Sequence, residues 1–260
     1  MTYSTIQFAA EGELATITLN RPEKRNAISP GMIGDLLNAL DEAERSAARA
    51  VILTGAGNAF CAGMDLEALR NLATQTQEQH AADAERMGKM FHRVYSFPKP
   101  LIAAVNGPAI AGGTGLATLA DFTLAVREAK FGYTEARIGF LPAVVSVFLL
   151  RQVGEKVTRE LLLTGKIFDA EEAHRLGLVT EIVIAEKLMD AARELGRTLA
   201  ALSPTSLTLT KRLILRWNEK EIERDLAIAI RESAEIRQAA DFREGLSAFL
   251  EKRAPQWRGR

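Results

Sequence analysis

The strongest constraint on this chain is a pair of uninterrupted apolar runs, each leading through glycine toward a helix. The first, Ala50-Val51-Ile52-Leu53-Thr54, passes through Gly55 and Gly57 into Ala59-Phe60-Cys61-Ala62-Gly63-Met64-Asp65-Leu66. The second, Leu101-Ile102-Ala103-Ala104-Val105, passes through Asn106-Gly107 into Ala111-Gly112-Gly113-Thr114-Gly115-Leu116. A strand apolar on both faces must be covered on both, the pattern of a parallel sheet flanked by helices. Where such a strand ends in small residues and a helix begins, backbone N–H groups are left unbonded and directed outward. Two such turns side by side can aim two N–H groups at one oxygen, as an oxyanion hole does. The pattern points to chemistry on a carbonyl that gains negative charge, without a metal.

The rest of the chain supports stacked β-α units. Residues 5–9 and 13–19 read as a hairpin around Glu11-Gly12, with Ile17 and Leu19 alternating against Thr16 and Thr18. Ser29-Pro30 is an N-cap and first-turn signature for a helix carrying Ile33, Leu36, Leu37 and Leu40 on one face. A polar segment, Thr74 to Gln79, leads into a helix reaching Ser96, and Phe122-Thr123-Leu124-Ala125-Val126 reads as a third buried strand. From Ala143 onward the chain reads as helical, with turns at Gly154, Gly165 and Gly177 and a break at Pro204. Residues 219–241 read as one charged helix with a stripe of Ile222, Leu226 and Ile230. This divides the chain into an α/β core, residues 1–200, and a C-terminal helical region, residues 201–260.

Composition removes several function classes. The 33 basic and 33 acidic residues cancel, so no global field draws the chain to nucleic acid or a membrane surface. No stretch approaches the ~18 apolar residues of a membrane span. The first residues, Met1-Thr2-Tyr3-Ser4-Thr5, do not read as a secretory signal, and Cys61 is the sole cysteine, so a cytoplasmic location is expected. Cys61 itself reads as a small apolar filler. Gly113-Thr114-Gly115 begins like a dinucleotide fingerprint, but Thr118 stands where the third glycine belongs. His80, His92 and His174 are isolated from one another, so no metal site is expected.

The two turns and their flanks resemble the enoyl-CoA hydratase/isomerase (crotonase) family along nearly the whole chain. The resemblance is carried by Asn20-Arg21-Pro22 with Asn26-Ala27-Ile28, by residues 59–66, and by Ile102 through Asp121. It continues through Leu163-Thr164-Gly165 with Gly177-Leu178-Val179, and ends in Glu244-Gly245 with Ala248-Phe249 and Glu251-Lys252-Arg253. It implies the crotonase-like fold, stacked β-β-α repeats with a C-terminal helical trimerisation region, assembled as a trimer or a dimer of trimers. It implies an acyl-CoA substrate, with CoA arriving on the substrate and no separate cofactor. The N–H groups of Met64 and Gly112 then form the oxyanion hole for the thioester carbonyl, and the Ala62 carbonyl meets the adenine. Lys24 and Arg25 meet CoA phosphates at the pocket mouth, as does Lys252 from a neighbouring subunit.

Of the family's two usual glutamates, the later matches Glu135 in Phe131-Gly132-Tyr133-Thr134-Glu135. The earlier belongs three residues after Gly112, where this chain has Gly115. Paired glutamates activate a water and return its proton, whereas one suffices to move a proton between two carbons. The resemblance implies hydration or double-bond isomerisation of an enoyl-CoA. A lyase or decarboxylase working through the same enolate, and a non-catalytic CoA-binding or RNA-associated scaffold, are the alternatives. The apolar segment Ile138 to Val145 is a candidate wall for the acyl chain, and residues 66–80 a variable wall.

Overall fold

A computed structural model describes residues 2–259. The chain opens with an antiparallel hairpin, β1 (Ile6–Glu11) and β2 (Leu14–Leu19), followed by helix α1 (Pro30–Arg45). The Ser29 hydroxyl accepts from the Met32 N–H and Pro30 occupies the first turn, so the helix starts where its cap signature places it. Next come β3 (Ala50–Gly55), α2 (Leu66–Leu72), α3 (Gln77–Tyr95), β4 (Leu101–Val105), β5 (Ala109–Ile110) and α4 (Gly112–Thr118). β6 (Phe122–Val126), β7 (Lys130–Gly132), α5 (Ala143–Thr164), β8 (Ile167–Asp169), α6 (Ala170–Arg175), β9 (Glu181–Val183) and α7 (Leu188–Ala200) complete the mixed region. α8 (Pro204–Glu235) and α9 (Ala240–Glu251) end it.

β1-β2-β3-β4-β6-β9 form one sheet, parallel from β2 onward, and β5-β7-β8 form a second, smaller one. β3 and β4 are buried along almost their full length, as runs without polar alternation require. α7 packs across β2, β3, β4 and β6, where Gly196 lets it approach the side chains of Leu14 and Ile102. α1 packs against the hairpin and against α3. Phe60, Phe91, Phe97, Phe131, Tyr133 and Phe148 are fully buried between these layers.

The region after Ala143 is less uniformly helical than its sequence suggests. β8 and β9 interrupt it, each three residues long and paired only at a sheet edge. The break expected at Pro204 is present, since α7 stops at Ala200 and a new helix opens at Pro204. Ser203 caps α8 through the Ser206 N–H with Pro204 in the first turn, so the helix begins well before residue 219 and stops at Glu235. α8 is bound to the rest of the chain by Arg151–Asp225 (2.8 Å) and by Lys211 on Asp121, and the 3-10 turn Ile236–Gln238 that follows it by Asp83–Arg237 (2.8 Å). Ile222, Leu226 and Ala229 join the main core.

Candidate active site

The two glycine turns are bonded to each other. Cys61 N–H donates to the Pro108 carbonyl (3.2 Å), and Ile110 N–H donates to the Cys61 carbonyl (2.9 Å). The approach is too close for side chains. A Cβ at Gly107 would lie 2.4 Å from the Asn58 carbonyl oxygen, and one at Gly113 would lie 2.1 Å from that of Cys61. Asn26, fully buried, holds the first turn from below by donating through Nδ2 to the carbonyls of Ala56 and Ala59, both at 2.8 Å. Arg21 donates to the Ala27 carbonyl (2.8 Å) and pairs with Asp65 (2.9 Å), which caps α2. The signature Asn20-Arg21-Pro22…Asn26 is therefore scaffolding for the turn.

Each turn delivers one unbonded amide to a common cavity of about 530 Å³. Ile28 bonds to the Gly63 carbonyl (2.7 Å) and the Asp65 N–H (2.9 Å), leaving the Met64 N–H on the opposite edge. Gly112 is the first residue of α4, where an N–H has no intrahelical acceptor. Among the described residues neither amide donates to a backbone carbonyl. Both follow a residue with positive φ, Gly63 at 88° and Ala111 at 52°. Ala111 is no glycine, so this conformation costs ~1–3 kcal/mol. It is held by the Ala111 N–H bond to the Gly132 carbonyl (2.7 Å).

Thr114 ties this turn to the segment that carries the acid. Its hydroxyl donates to the Ala109 carbonyl (2.6 Å) and accepts from the Gly132 N–H (3.0 Å). Three residues on from Gly132, Glu135 opens a 3-10 turn, Glu135–Ile138. Its side chain is buried in the cavity wall and Oε2 has no partner. Burial pushes its pKa up to about 7, against a smaller lowering by its own backbone N–H.

Met64, Gly112, Glu135, Ala62, Lys24 and Arg25 thus come together around one cavity, whereas Lys252, the residue capping the end of α9, is not among its lining residues. Ile138 and the segment Phe140 to Val145 do line it, and Leu66 and Leu69 come from the predicted variable wall. Gly115 proves to be more than a missing carboxylate. A Cβ there would meet Val145 Cγ1 at 2.8 Å and Phe91 Cε1 at 2.9 Å, so packed hydrocarbon occupies the space. The Gly113-Thr114-Gly115 motif is explained without any nucleotide, as close approach, clasp and packing in turn.

Cys61 is buried, with its thiol pushed up to about 12 by desolvation, as suits a filler. The three histidines lie apart, and among the described residues no three His, Cys, Asp or Glu side chains gather at metal-binding distance. Among the described residues no helix is long and apolar enough to cross a membrane. Ser233, Arg237 and Phe249 of the C-terminal region also line the cavity, and Phe91 reaches it from α3. Phe249 falls in the C-terminal signature, whereas no local pattern marks the other three, of which Ser233 and Arg237 lie more than a hundred residues beyond the turns and meet them only through the fold.

The sequence pattern of the enoyl-CoA hydratase/isomerase family matches residues 9–260. The chain belongs to that family. A Thermus thermophilus relative whose name places it among the enoyl-CoA hydratases is 45% identical over 95% of this chain and 98% of its own length. The 1,2-epoxyphenylacetyl-CoA isomerase of Escherichia coli is 36% identical, over 96% of this chain and 97% of its own. The solved structure of an enoyl-CoA hydratase/isomerase from Xanthobacter autotrophicus Py2 superposes with a TM-score of 0.89 at 32% identity. It covers 96% of this chain and 97% of that one. The fold is therefore the crotonase fold, and the protein is an enzyme of the hydratase/isomerase class.

Proposed function

We propose that this enzyme isomerises the double bond of an enoyl-CoA through a thioester enolate, with Glu135 as the single proton carrier. The thioester oxygen accepts from the Met64 and Gly112 N–H groups. The Glu135 carboxylate takes a proton from carbon 2 of a 3-enoyl thioester, and the C–H electron pair moves toward the carbonyl, giving a dienolate held by the two amides. Glu135, now the acid, returns that proton to carbon 4, the double bond forms between carbons 2 and 3, and the carboxylate is regenerated. The observation that carries this reading is the unpartnered, buried Glu135 carboxyl in the same cavity as two unbonded amides. A pKa of about 7 suits a group that must both take and give a proton near neutral pH.

Hydration by Glu135 alone is the second reading, favoured by the hydratase names among the relatives. The Phe91 and Val145 packing around Gly115 supports isomerisation over it, because the second carboxylate that would steer a water has no room. CoA comes with the substrate, its phosphates near Lys24 and Arg25 and its adenine at the Ala62 carbonyl, with no separate cofactor. The exposed stripe Leu209, Leu213 and Trp217 on α8 supports a homo-oligomer, in which Lys252 serves a neighbouring site. We place the enzyme in the cytoplasm.

The test follows absorbance with 3-enoyl-CoA and 2-enoyl-CoA separately. Conjugation appearing from the 3-enoyl substrate, and lost in Glu135→Gln, is the expected result. Loss of 2-enoyl absorbance as the dominant reaction would establish hydration instead. No change with either would leave carbon–carbon cleavage or a non-catalytic role.

A further inference from the structure

We propose that the inner wall of the cavity holds a polar subsite, Arg237 with Ser233, which receives an oxygen substituent carried by the acyl group. The inference rests on the acyl-CoA reading above and adds a substrate class to it. Arg237 lies in the 3-10 turn that ends α8, and its side chain is only 1% exposed. One terminal nitrogen donates to Asp83 Oδ2 (2.8 Å) and reaches the His80 carbonyl (3.4 Å). Nε, equally buried, has no partner. A guanidinium carries five N–H donors, and leaving one buried and unmade costs ~1–3 kcal/mol. Arg237 is one of the residues that line the cavity, so this unpaired donor belongs to the cavity wall.

The position is suited to the far end of an acyl chain. The guanidinium lies 5.5 Å from the centre of the Phe140 ring, and the Phe140 N–H is bonded to the Glu135 carbonyl (3.0 Å). The wall that carries the acid thus continues directly to the arginine. Ser233, four residues earlier and one helical turn away, is buried and faces the same space. The intervening surface is hydrocarbon, so an oxygen placed there unpaired would be costly.

Charge favours the same occupant. The Asp83 carboxylate is shared between the buried Arg237 and the half-exposed Arg86 (3.4 Å), so Arg237 has only a shared carboxylate to balance it. A terminal carboxylate satisfies both the charge and the free N–H, and a hydroxyl satisfies the N–H alone.

The test measures dissociation constants by calorimetry for plain, ω-hydroxy and ω-carboxy saturated acyl-CoA thioesters, in a series of four to eight carbons. The wild type is compared with the double variant Asp83→Asn/Arg237→Met, which avoids leaving a buried carboxylate unpaired, and with Ser233→Ala. At the best chain length the wild type is expected to bind an oxygenated thioester at least tenfold more tightly than its plain counterpart. In the double variant that ratio falls to within twofold of unity. A ratio near unity in the wild type at every length overturns the subsite. So does an unaltered ratio in a folded double variant, which would make the Asp83–Arg237 pair a brace between α3 and the end of α8. Failure of every thioester to bind the wild type refutes the acyl-CoA reading itself, and the inference with it.

Discussion

Replacing Glu135 by glutamine should make the protein more stable and less active at once, and the size of the gain should depend on pH. The carboxyl has no partner at Oε2, and burial moves its pKa from 4.5 to about 7 in the folded chain. Each pH unit between folded and unfolded pKa values is worth about 1.4 kcal/mol, so the ionised form burdens the folded state by ~3 kcal/mol. The sign is that of an acid whose folded pKa is raised. Below the unfolded value both states are protonated and the burden is absent. It grows as pH rises from 4.5 and is complete above about 7. Glutamine fills the same space and never ionises. Thermal unfolding of both proteins at equal concentration, at about pH 5 and about pH 8, measures the difference. The variant should melt roughly 6–12 °C above wild type at the higher pH, with a much smaller gap at the lower one. Its turnover should fall by ~10²–10⁴. An equal gap at both pH values would refute the argument, because an ionisable burden cannot be independent of pH.

Other expectations follow from the same geometry. Gly63→Ala forces a side chain into positive φ and within 2.9 Å of the Ile110 carbonyl, so the Met64 amide must move; kcat should drop by ~10²–10³ in steady-state assays, the cost of one oxyanion donor. Gly115→Ala should lower stability by ~1–3 kcal/mol in urea unfolding through its contacts with Val145 and Phe91, and an unchanged midpoint would contradict the packing. Gly115→Glu, carrying a carboxylate into the same space, should be worse still, and gains hydration activity only if Phe91 is also truncated. Cys61 should resist thiol reagents in the native protein and react on unfolding, since its thiol is buried and its pKa is pushed up to about 12. The kcat/KM of isomerisation should rise with pH around a midpoint near 7, as Glu135 becomes the base that takes the first proton.

The parts of the fold legible in the sequence were those with strong local physics. β3 and β4 are apolar without alternation, and Ser29-Pro30 can hardly be anything but a helix start. β8 and β9 could not be read because three residues carry no periodicity, and their pairing is set by strands that precede them by tens of residues. Pro204 was legible as a break, but that it also opens the next helix was not, because proline serves equally as a helix breaker and as a first-turn residue and only the Ser203 hydroxyl bond shows the second role. In the site, Glu135 and the two turns had motif context. Arg237 and Ser233 had none, since a charged residue on a long helix reads as solvated until the fold buries it. Gly115 was visible as an absence, but what fills the space, Phe91 from α3, was not.

The oxyanion donors proposed for this enzyme are main-chain amides, which changes what mutational mapping of it will find. Met64→Ala keeps its N–H, so a conventional alanine scan will pass over one of the two groups proposed to hold the reacting oxygen. What shapes the two turns is the lack of a side chain at Gly63, Gly107 and Gly113, each of which lets one strip of backbone press against another. A scan that adds methyl groups to glycines will outline the site more sharply than one that removes side chains. The pocket wall, built from ordinary replaceable side chains, is by contrast free to drift. Variation there would change which acyl groups enter, while the bonded pair of turns, and with it the proposed enolate chemistry, would stay fixed.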